Sequence, residues 1–491
     1  MRPVRVLSVA SEIYPLIKTG GLADVAGALP VALKDYDVDT RTLVPGYPAV
    51  MESVQRTEQL LEWPFFGGAA RLLSGCSGPL DLFVLDAPHL FARPGNPYLT
   101  PEGTDWPDNA RRFAALARMA WNIGIGAVPS FVPDVIHSHD WQAALTPAYL
   151  HYSGQPWPRT VLTVHNLAYQ GRFPPQILEE IDLPPQSFAM DGVEFYGSVG
   201  FLKAGLQFAD RITTVSPTYA KEIQTEDGGM GLGGLLHSRS ARLHGILNGI
   251  DTTVWNPETD PAIPYRFNSA KLDDRSLNKT ALQHRFGLEL SSPALLLGVV
   301  SRLSWQKGLD LLAECIPSLL EEGMQLVLLG TGDTELQAQF HAAAHSHPKQ
   351  VSVLIGYDED LAHLIQAGSD AIVVPSRFEP CGLTQLCALR YGAVPIVSSV
   401  GGLEDTVVDV ADEALRPATG FKFSSVVHKP LADTLVRANA FFRDRSKWRP
   451  LQLNGMSTDV SWRRSAKQYA QLYRDICDPS AARSRNEGST R

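Results

Sequence analysis

The chain has 491 residues, 44% of them hydrophobic and 19% charged, which excludes a disordered chain and suits a globular protein. At about 150 residues per domain, and with single cores seldom growing past roughly 250–300 residues, two or three cores are expected. Lys and Arg total 43 against 52 Asp and Glu, a formal charge of −9, so the electrostatic footprint of a nucleic-acid binder is missing and no nucleic-acid partner is expected.

The opening MRPVRVLSVASEIYP has a short apolar stretch interleaved with polar residues and ended by Glu12. That is not the apolar core of an export signal, and no export is expected. Short β-branched or Leu-rich runs bounded by Gly, Pro or Asp then recur at 4–10, 80–87, 134–139, 160–166 and 211–216, and again at 295–303, 325–333, 351–357, 370–376 and 394–402. Helical-length segments separate most of them. Continuous apolar strands alternating with helices predict an α/β fold with parallel sheets covered on both faces. The longest apolar runs, at 294–300 and 326–330, fall far below the roughly 18 residues of a membrane span, so no membrane partner is expected.

A polar, Pro-containing stretch from about 251 to 290 separates the two series, with few apolar residues and no clear periodicity. The boundary is placed at its start, giving a first domain at 1–250 and a second at 251–460. In 461–477, Ala466, Tyr469, Leu472 and Ile476 recur at helical spacing, so one apolar face should dock on a domain. The tail, 478–491, is expected to be disordered. The cysteines, Cys76, Cys315, Cys381, Cys387 and Cys477, are odd in number, with no C-x-x-C and no His at zinc spacing; a reducing compartment fits them best.

Ligands of doubly wound sheets bind outside the carboxyl ends of the strands, so two facing domains of this kind would form a deep cleft. Lys18, Gly20 and Gly21 follow the first strand and precede an apolar helix, a combination suited to phosphate, although the segment is neither G-x-G-x-x-G nor a Walker A sequence. His137 and His139 of HSHDW share one face of a strand. Without a third clustered ligand, hydrogen bonding accounts for them better than a metal. Asp140 reads as an orienting carboxylate, and His165 and Asn166 follow another apolar strand at a cleft position. Arg302 and Lys307 flank a turn beside Leu303 and Trp305, and two cations there suit a pyrophosphate. The densest segment, 375–407, carries Arg377, Glu379, Cys381 and Gly382 between a strand and a helix starting in GLTQ, 382–385. That helix start can face a phosphate, and Glu379 can bind sugar hydroxyls or act as a cap. Cys381 has no argued base and is not read as a nucleophile. NPYL, 96–99, and GGMGLGG, 228–234, read as loops; the second either closes over substrate or links elements.

Taken together, KTGGLADV, HSHDW, TVHNLAYQG, SRLSWQKG and RFEPCGLTQ resemble the bacterial glycogen synthases and plant starch synthases, as do VSPTYAKEI, LNGIDTTVWNPETD and GYDEDLAH. The resemblance runs over residues 4–475. It implies two facing Rossmann-like domains of GT-B type, with the helix at 461–477 crossing back to the first. It further implies transfer of an α-glucosyl unit from ADP-glucose to the non-reducing 4-OH of an α-1,4-glucan such as glycogen, with retention, no metal and no cofactor. By the same resemblance Lys18, Gly20 and Gly21 contact ADP-glucose, and Arg302 and Lys307 neutralise the pyrophosphate. His165, Asp140, Glu379 and Cys381 surround the transferred glucose. Asn166, Asn248 and Tyr98 are neighbouring polar contacts, Tyr357 and Thr384 lie on the adenine or phosphate side, and Gly382 and Leu383 belong to the same helix start.

Two positions depart from that pattern. Cys387 stands where many retaining transferases of this type carry a second glutamate, and the 228–234 loop has an extra glycine pattern. The absence of a transit-like leader points to a bacterial cytoplasm. Rival readings on the same fold are a nucleotide-sugar epimerase or hydrolase, which needs no glucan, and a non-catalytic glucan-binding protein. The motifs leave oligomeric state and the choice between ADP-glucose and UDP-glucose open.

Overall fold

The structure is a computed structural model that describes residues 2–154, 158–412 and 417–478. The chain folds as two compact units: residues up to Asn248 joined by the segment from Trp462, and Gly249–Ser461. The helices that bear on the site are α1 (Gly21–Leu33), α2 (Asn109–Gly124), α3 (Leu309–Glu321), α4 (Thr384–Tyr391) and α5 (Arg463–Cys477).

The first unit is built on nine strands: β1 (Val4–Val9), β2 (Val38–Pro45), β3 (Gln55–Phe65), β4 (Gly68–Ser77), β5 (Leu80–Asp86), β6 (Val135–His139), β7 (Arg159–Val164), β11 (Arg211–Thr214) and β12 (Leu243–Gly245). A small antiparallel sheet adds β8 (Arg172–Phe173), β9 (Glu194–Phe195) and β10 (Ser198–Gly200). The main sheet runs β12-β11-β7-β6-β1-β2-β5-β4-β3. From β12 to β5 the neighbours pair in parallel, whereas β4 pairs antiparallel with both β5 and β3. The sheet is therefore mixed, not wholly parallel. The hairpin arises because Phe66 and Gly67 both take positive φ, 50° and 86°, the geometry that closes a two-residue connection between twisted strands. Its outer strand, β3, is mostly exposed and carries Arg56, Glu58 and Glu62, charges that discourage edge-to-edge pairing.

Both faces of this sheet are covered. On one, Phe113, Leu116 and Ala120 of α2 pack with Leu7, Leu43 and Phe83. On the other, Val25 and Leu29 of α1 and Ala466, Tyr469, Leu472 and Ile476 of α5 pack with Val6, Val135 and Val161. The amphipathic face expected at 461–477 thus docks on the first unit, and Ser465 Oγ bonds the carbonyl of Leu247. Apart from Asp478, the expectation for the tail lies outside the described residues.

The second unit holds a wholly parallel sheet of β13 (Leu296–Val300), β14 (Gln325–Gly330), β15 (Val351–Ile355), β16 (Ala371–Val374), β17 (Val394–Ser398) and β18 (Phe421–Phe423), in the order β15-β14-β13-β16-β17-β18. The polar stretch after residue 251 is packed within it. Trp255 stacks on His363 with ring centroids 3.8 Å apart, and buried Asp260 accepts bonds from His363 at 2.7 Å and from the Tyr391 hydroxyl.

In each unit the chain crosses to the other side of its first strand, β6 pairing with β1 opposite β2 and β16 with β13 opposite β14. Crevices at the carboxyl ends of such strand pairs are where α/β sheets take ligands.

Candidate active site

In the first unit, the turn after β1 is organised by Glu12. Its buried carboxylate accepts the backbone N–H of Thr19, the Thr19 hydroxyl at 2.9 Å and the Tyr98 hydroxyl at 2.8 Å. Burial raises its pKa, against the pull of those hydrogen bonds. Tyr98 also bonds Ser11 Oγ at 2.8 Å, so this predicted contact belongs to the wall behind the turn. Lys18 Nζ lies 2.9 Å from Asp24 Oδ1, one turn into α1. Gly20 precedes α1 in extended backbone with no side-chain cap, and a Cβ built there would meet nothing within 4 Å. Gly21 opens the helix. The turn therefore presents backbone and one ammonium to whatever approaches the β1 end, an arrangement suited to an anion.

At the end of β6, Asp140 adopts a left-handed φ of 55°, a conformation Asp tolerates better than most residues. Its carboxylate accepts the His165 N–H at 2.6 Å and the Asn166 N–H at 3.4 Å, fixing the backbone that leaves β7. Burial pushes the Asp140 carboxyl up to about 7, although those two bonds favour its charged form. Asn166 turns its own Oδ1 onto the Ala168 N–H at 3.0 Å. Asn248 is buried, and its Oδ1 has no partner among the described residues; such an acceptor calls for a partner.

Three buried histidines lie behind this edge. His137 is held between the Tyr473 hydroxyl, 2.7 Å from Nδ1, and Thr163 Oγ1, 2.6 Å from Nε2. His139 lies between Ser8 and His165. Burial lowers His139 to about 3 and holds His137 and His165 well below the usual imidazole range, so all three are neutral near pH 7. Among the described residues no cluster of three or more His, Cys, Asp or Glu could hold a metal ion.

In the second unit, the turn after β13 and the loop after β16 meet. Lys307 Nζ is 2.5 Å from Glu379 Oε2, which also accepts the Ser376 hydroxyl at 2.8 Å. Gly308 permits this approach: its φ is 65°, and a Cβ there would lie 2.0 Å from the Pro375 carbonyl oxygen. Arg377 pins the same two segments with a bidentate pair to Asp310 at 2.7 and 2.6 Å and a bond to the Trp305 carbonyl, so this arginine of the dense motif braces the loop. Arg302 is exposed at the β13 end. Cys381 is buried, Gly382 has a φ of 70°, and Gln385 Nε2 bonds the carbonyls of both. Leu383 is the N-cap of α4 and Thr384 its first residue.

Tyr357 stands apart from this cluster, 74% exposed beyond β15 with its hydroxyl on Glu359. Cys387 sits in an apolar cluster with Ile250, Leu389 and Val460. Three glycines of 228–234 are packed closely: a Cβ at Gly228, Gly229 or Gly233 would lie 2.3–2.4 Å from a neighbour, whereas Gly234 has nothing within 4 Å, and Gln170 Nε2 holds the Met230 carbonyl at 3.0 Å.

Residues 5–238 match a family model described as starch synthase catalytic domain, and residues 282–434 one described as glycosyl transferases group 1. A glycogen synthase 2 from Bradyrhizobium diazoefficiens is 64% identical over 98% of this chain and 100% of its own length. The chain belongs to the glycogen synthase family. A glycogen synthase from Rhodopseudomonas palustris strain BisA53 is 61% identical over 97% of this chain and 98% of its own. Among solved structures, the catalytic domain of starch synthase IV from Arabidopsis thaliana bound to ADP and acarbose matches with a TM-score of 0.88 at 34% identity, covering 97% of this chain and 99% of that one. The two-domain GT-B architecture and glycosyltransferase activity expected from the motifs hold for this glycogen synthase family member.

Sequence reasoning passed over Glu12, Asp24, Ser376 and Asp310. Glu12 and Ser376 carried a signal, since each is a polar residue just after an apolar strand; Asp24 and Asp310 look like ordinary first-turn helix acids.

Proposed function

We propose that this chain transfers an α-glucosyl unit from ADP-glucose to the non-reducing 4-OH of an α-1,4-glucan, with retention of configuration and without a metal or cofactor. The observation that carries the reading is the Lys307–Glu379–Ser376 cluster at the strand ends of the second unit, in a chain so similar to named glycogen synthases. A cation already held by a buried carboxylate needs little reorganisation when negative charge develops on a departing diphosphate, and such preorganised charge is the largest single source of rate in many enzymes.

In this assignment Arg302 and Lys307 take the diphosphate with the α4 start, Gly382, Leu383 and Thr384, and Tyr357 lies on the adenine side. Glu379 and Cys381 take the glucose. Lys18, Gly20 and Gly21 are assigned to ADP-glucose, and His165, Asp140, Asn166, Asn248 and Tyr98 to the sugar. The bond from the anomeric carbon to the phosphate oxygen breaks, the bond to the acceptor O4 forms on the same face, and the acceptor proton passes to the leaving phosphate oxygen. No helix among the described residues is long and apolar enough to cross a membrane, and a bacterial cytoplasm is the proposed compartment.

The test is incorporation of labelled glucose into glycogen from ADP-glucose and from UDP-glucose, with EDTA present. Incorporation from ADP-glucose is expected. Free glucose or an altered sugar without glucan growth would replace the reading with a hydrolase or epimerase, and glycogen binding without turnover would replace it with a binding protein.

A further inference from the structure

The histidine behind the sugar-side edge is wired to the sheet in a way that decides which of its nitrogens carries the proton. Ser8 on β1, His139 at the end of β6 and His165 just after β7 lie on three neighbouring strands. Ser8 Oγ is 3.2 Å from His139 Nε2, and His139 Nδ1 is 3.0 Å from His165 Nε2. All three residues are at least nine-tenths buried. Each contact joins two groups that can both donate and accept, so the proton order is set at the ends of the chain.

Ser8 has no other hydrogen-bond partner among the described residues. If its hydroxyl accepted from His139, its own proton would be stranded in a buried site, whereas an unused lone pair on a hydroxyl is far less costly. The hydroxyl therefore donates to His139 Nε2. A neutral His139 then carries its proton on Nδ1 and donates to His165 Nε2, which leaves His165 protonated on Nδ1, and no described atom partners that nitrogen.

We propose that His139 is a positioning residue that, set by Ser8, locks His165 as its Nδ1–H tautomer so that it offers a hydrogen-bond donor to an oxygen of the transferred sugar. The proposal rests on the assignment of His165 to that sugar. It explains why a histidine with no carboxylate on its ring can be held in one tautomer: an imidazole and a hydroxyl do the work a carboxylate or carbonyl usually does.

The test is side-chain nitrogen NMR on the full chain labelled with [15N]histidine, His165 being assigned from a His165→Gln variant, with glucosyl transfer measured in parallel. The wild type is expected to show His165 with a protonated Nδ1 and a bare Nε2. Ser8→Ala removes the proton source without disturbing the strand; the His165 signals should move toward the Nε2–H form and kcat should fall ~10-fold, the scale of losing a partner that orients a functional histidine. Donor KM should stay within ~3-fold, because the lost contact is one of geometry rather than bulk binding. Ser8→Thr, which returns a hydroxyl, should restore both readouts. A wild-type His165 found as Nε2–H, nitrogen signals unmoved in Ser8→Ala, or a moved tautomer with unchanged kcat would each overturn the proposal. A wild type that transfers no glucose would refute the transfer reading, and the NMR arm would still decide the relay.

Discussion

Asp140 offers the sharpest test of the electrostatics of the first unit. Its carboxyl is 7% exposed and is pushed by burial from the ordinary 3.8 to about 7. The folded form thus keeps a proton that the unfolded chain releases near pH 4. Folding binds a proton between those two values, so stability falls as pH rises through that window and levels off above pH 7. Asp140→Asn keeps an oxygen for the His165 and Asn166 N–H groups and removes the titration. The stability difference between variant and wild type should therefore grow in favour of the variant with rising pH. With the two values above, the growth from pH 5 to pH 8 is about 3 kcal/mol, or roughly 6 °C in melting temperature at ~2 °C per kcal/mol for a unit of this size. Thermal melts of both proteins across that range, read as a difference so that other titrating groups cancel, provide the measurement. A difference that stays flat, or that favours the wild type as pH rises, would refute a buried, uphill-titrating Asp140.

Other perturbations separate the roles of the remaining residues. Lys307→Ala and Glu379→Gln should each lower kcat by at least ~100-fold in the glucan-incorporation assay, the size of one lost electrostatic contact in the transition state; near-normal turnover would remove these residues from the mechanism. Gly308→Ala places a Cβ against the Pro375 carbonyl at a φ of 65°, so it should destabilise the second unit by at least ~2 kcal/mol, visible as an earlier melting step. Tyr473→Phe deletes the hydroxyl at His137 Nδ1 and should cost ~1 kcal/mol in denaturant titrations, with turnover unchanged. Transfer from ADP-glucose should be the same before and after exhaustive EDTA treatment.

The elements legible in the sequence are those whose burial is two-sided. Val6–Val9 of β1 and Leu296–Val299 of β13 are buried at every position, so they read as apolar runs, broken in β1 only by Ser8, and the polar residues just beyond such strands are placed to line a ligand crevice. Strands of other kinds leave no such mark. In β2, Asp39 and Arg41 alternate with buried Thr40 and Thr42, so the run looks polar although it sits beside β1 at the centre of the sheet. The hairpin of β3 and β4 is half solvated, and its register depends on a Phe-Gly turn that a propensity reading does not single out.

The same physics divides the site. Lys18, Asp140, His165, Lys307 and Glu379 follow apolar strands and can be found by that placement. Their supports are bound through space: Glu12 reaches Tyr98 across 86 positions, and His137 reaches Tyr473 across 336. No local pattern encodes such a pair, because each partner alone is an ordinary residue of its own segment. Ser8 is the clearest instance. In VRVLSVA it reads as a polar interruption of a strand, a small cost to packing. Beside His139 it becomes the one donor that gives the relay to His165 a direction. A sequence reading can therefore name the polar residues at the strand ends while missing what sets their protonation, because the second is decided by partners far away in the chain.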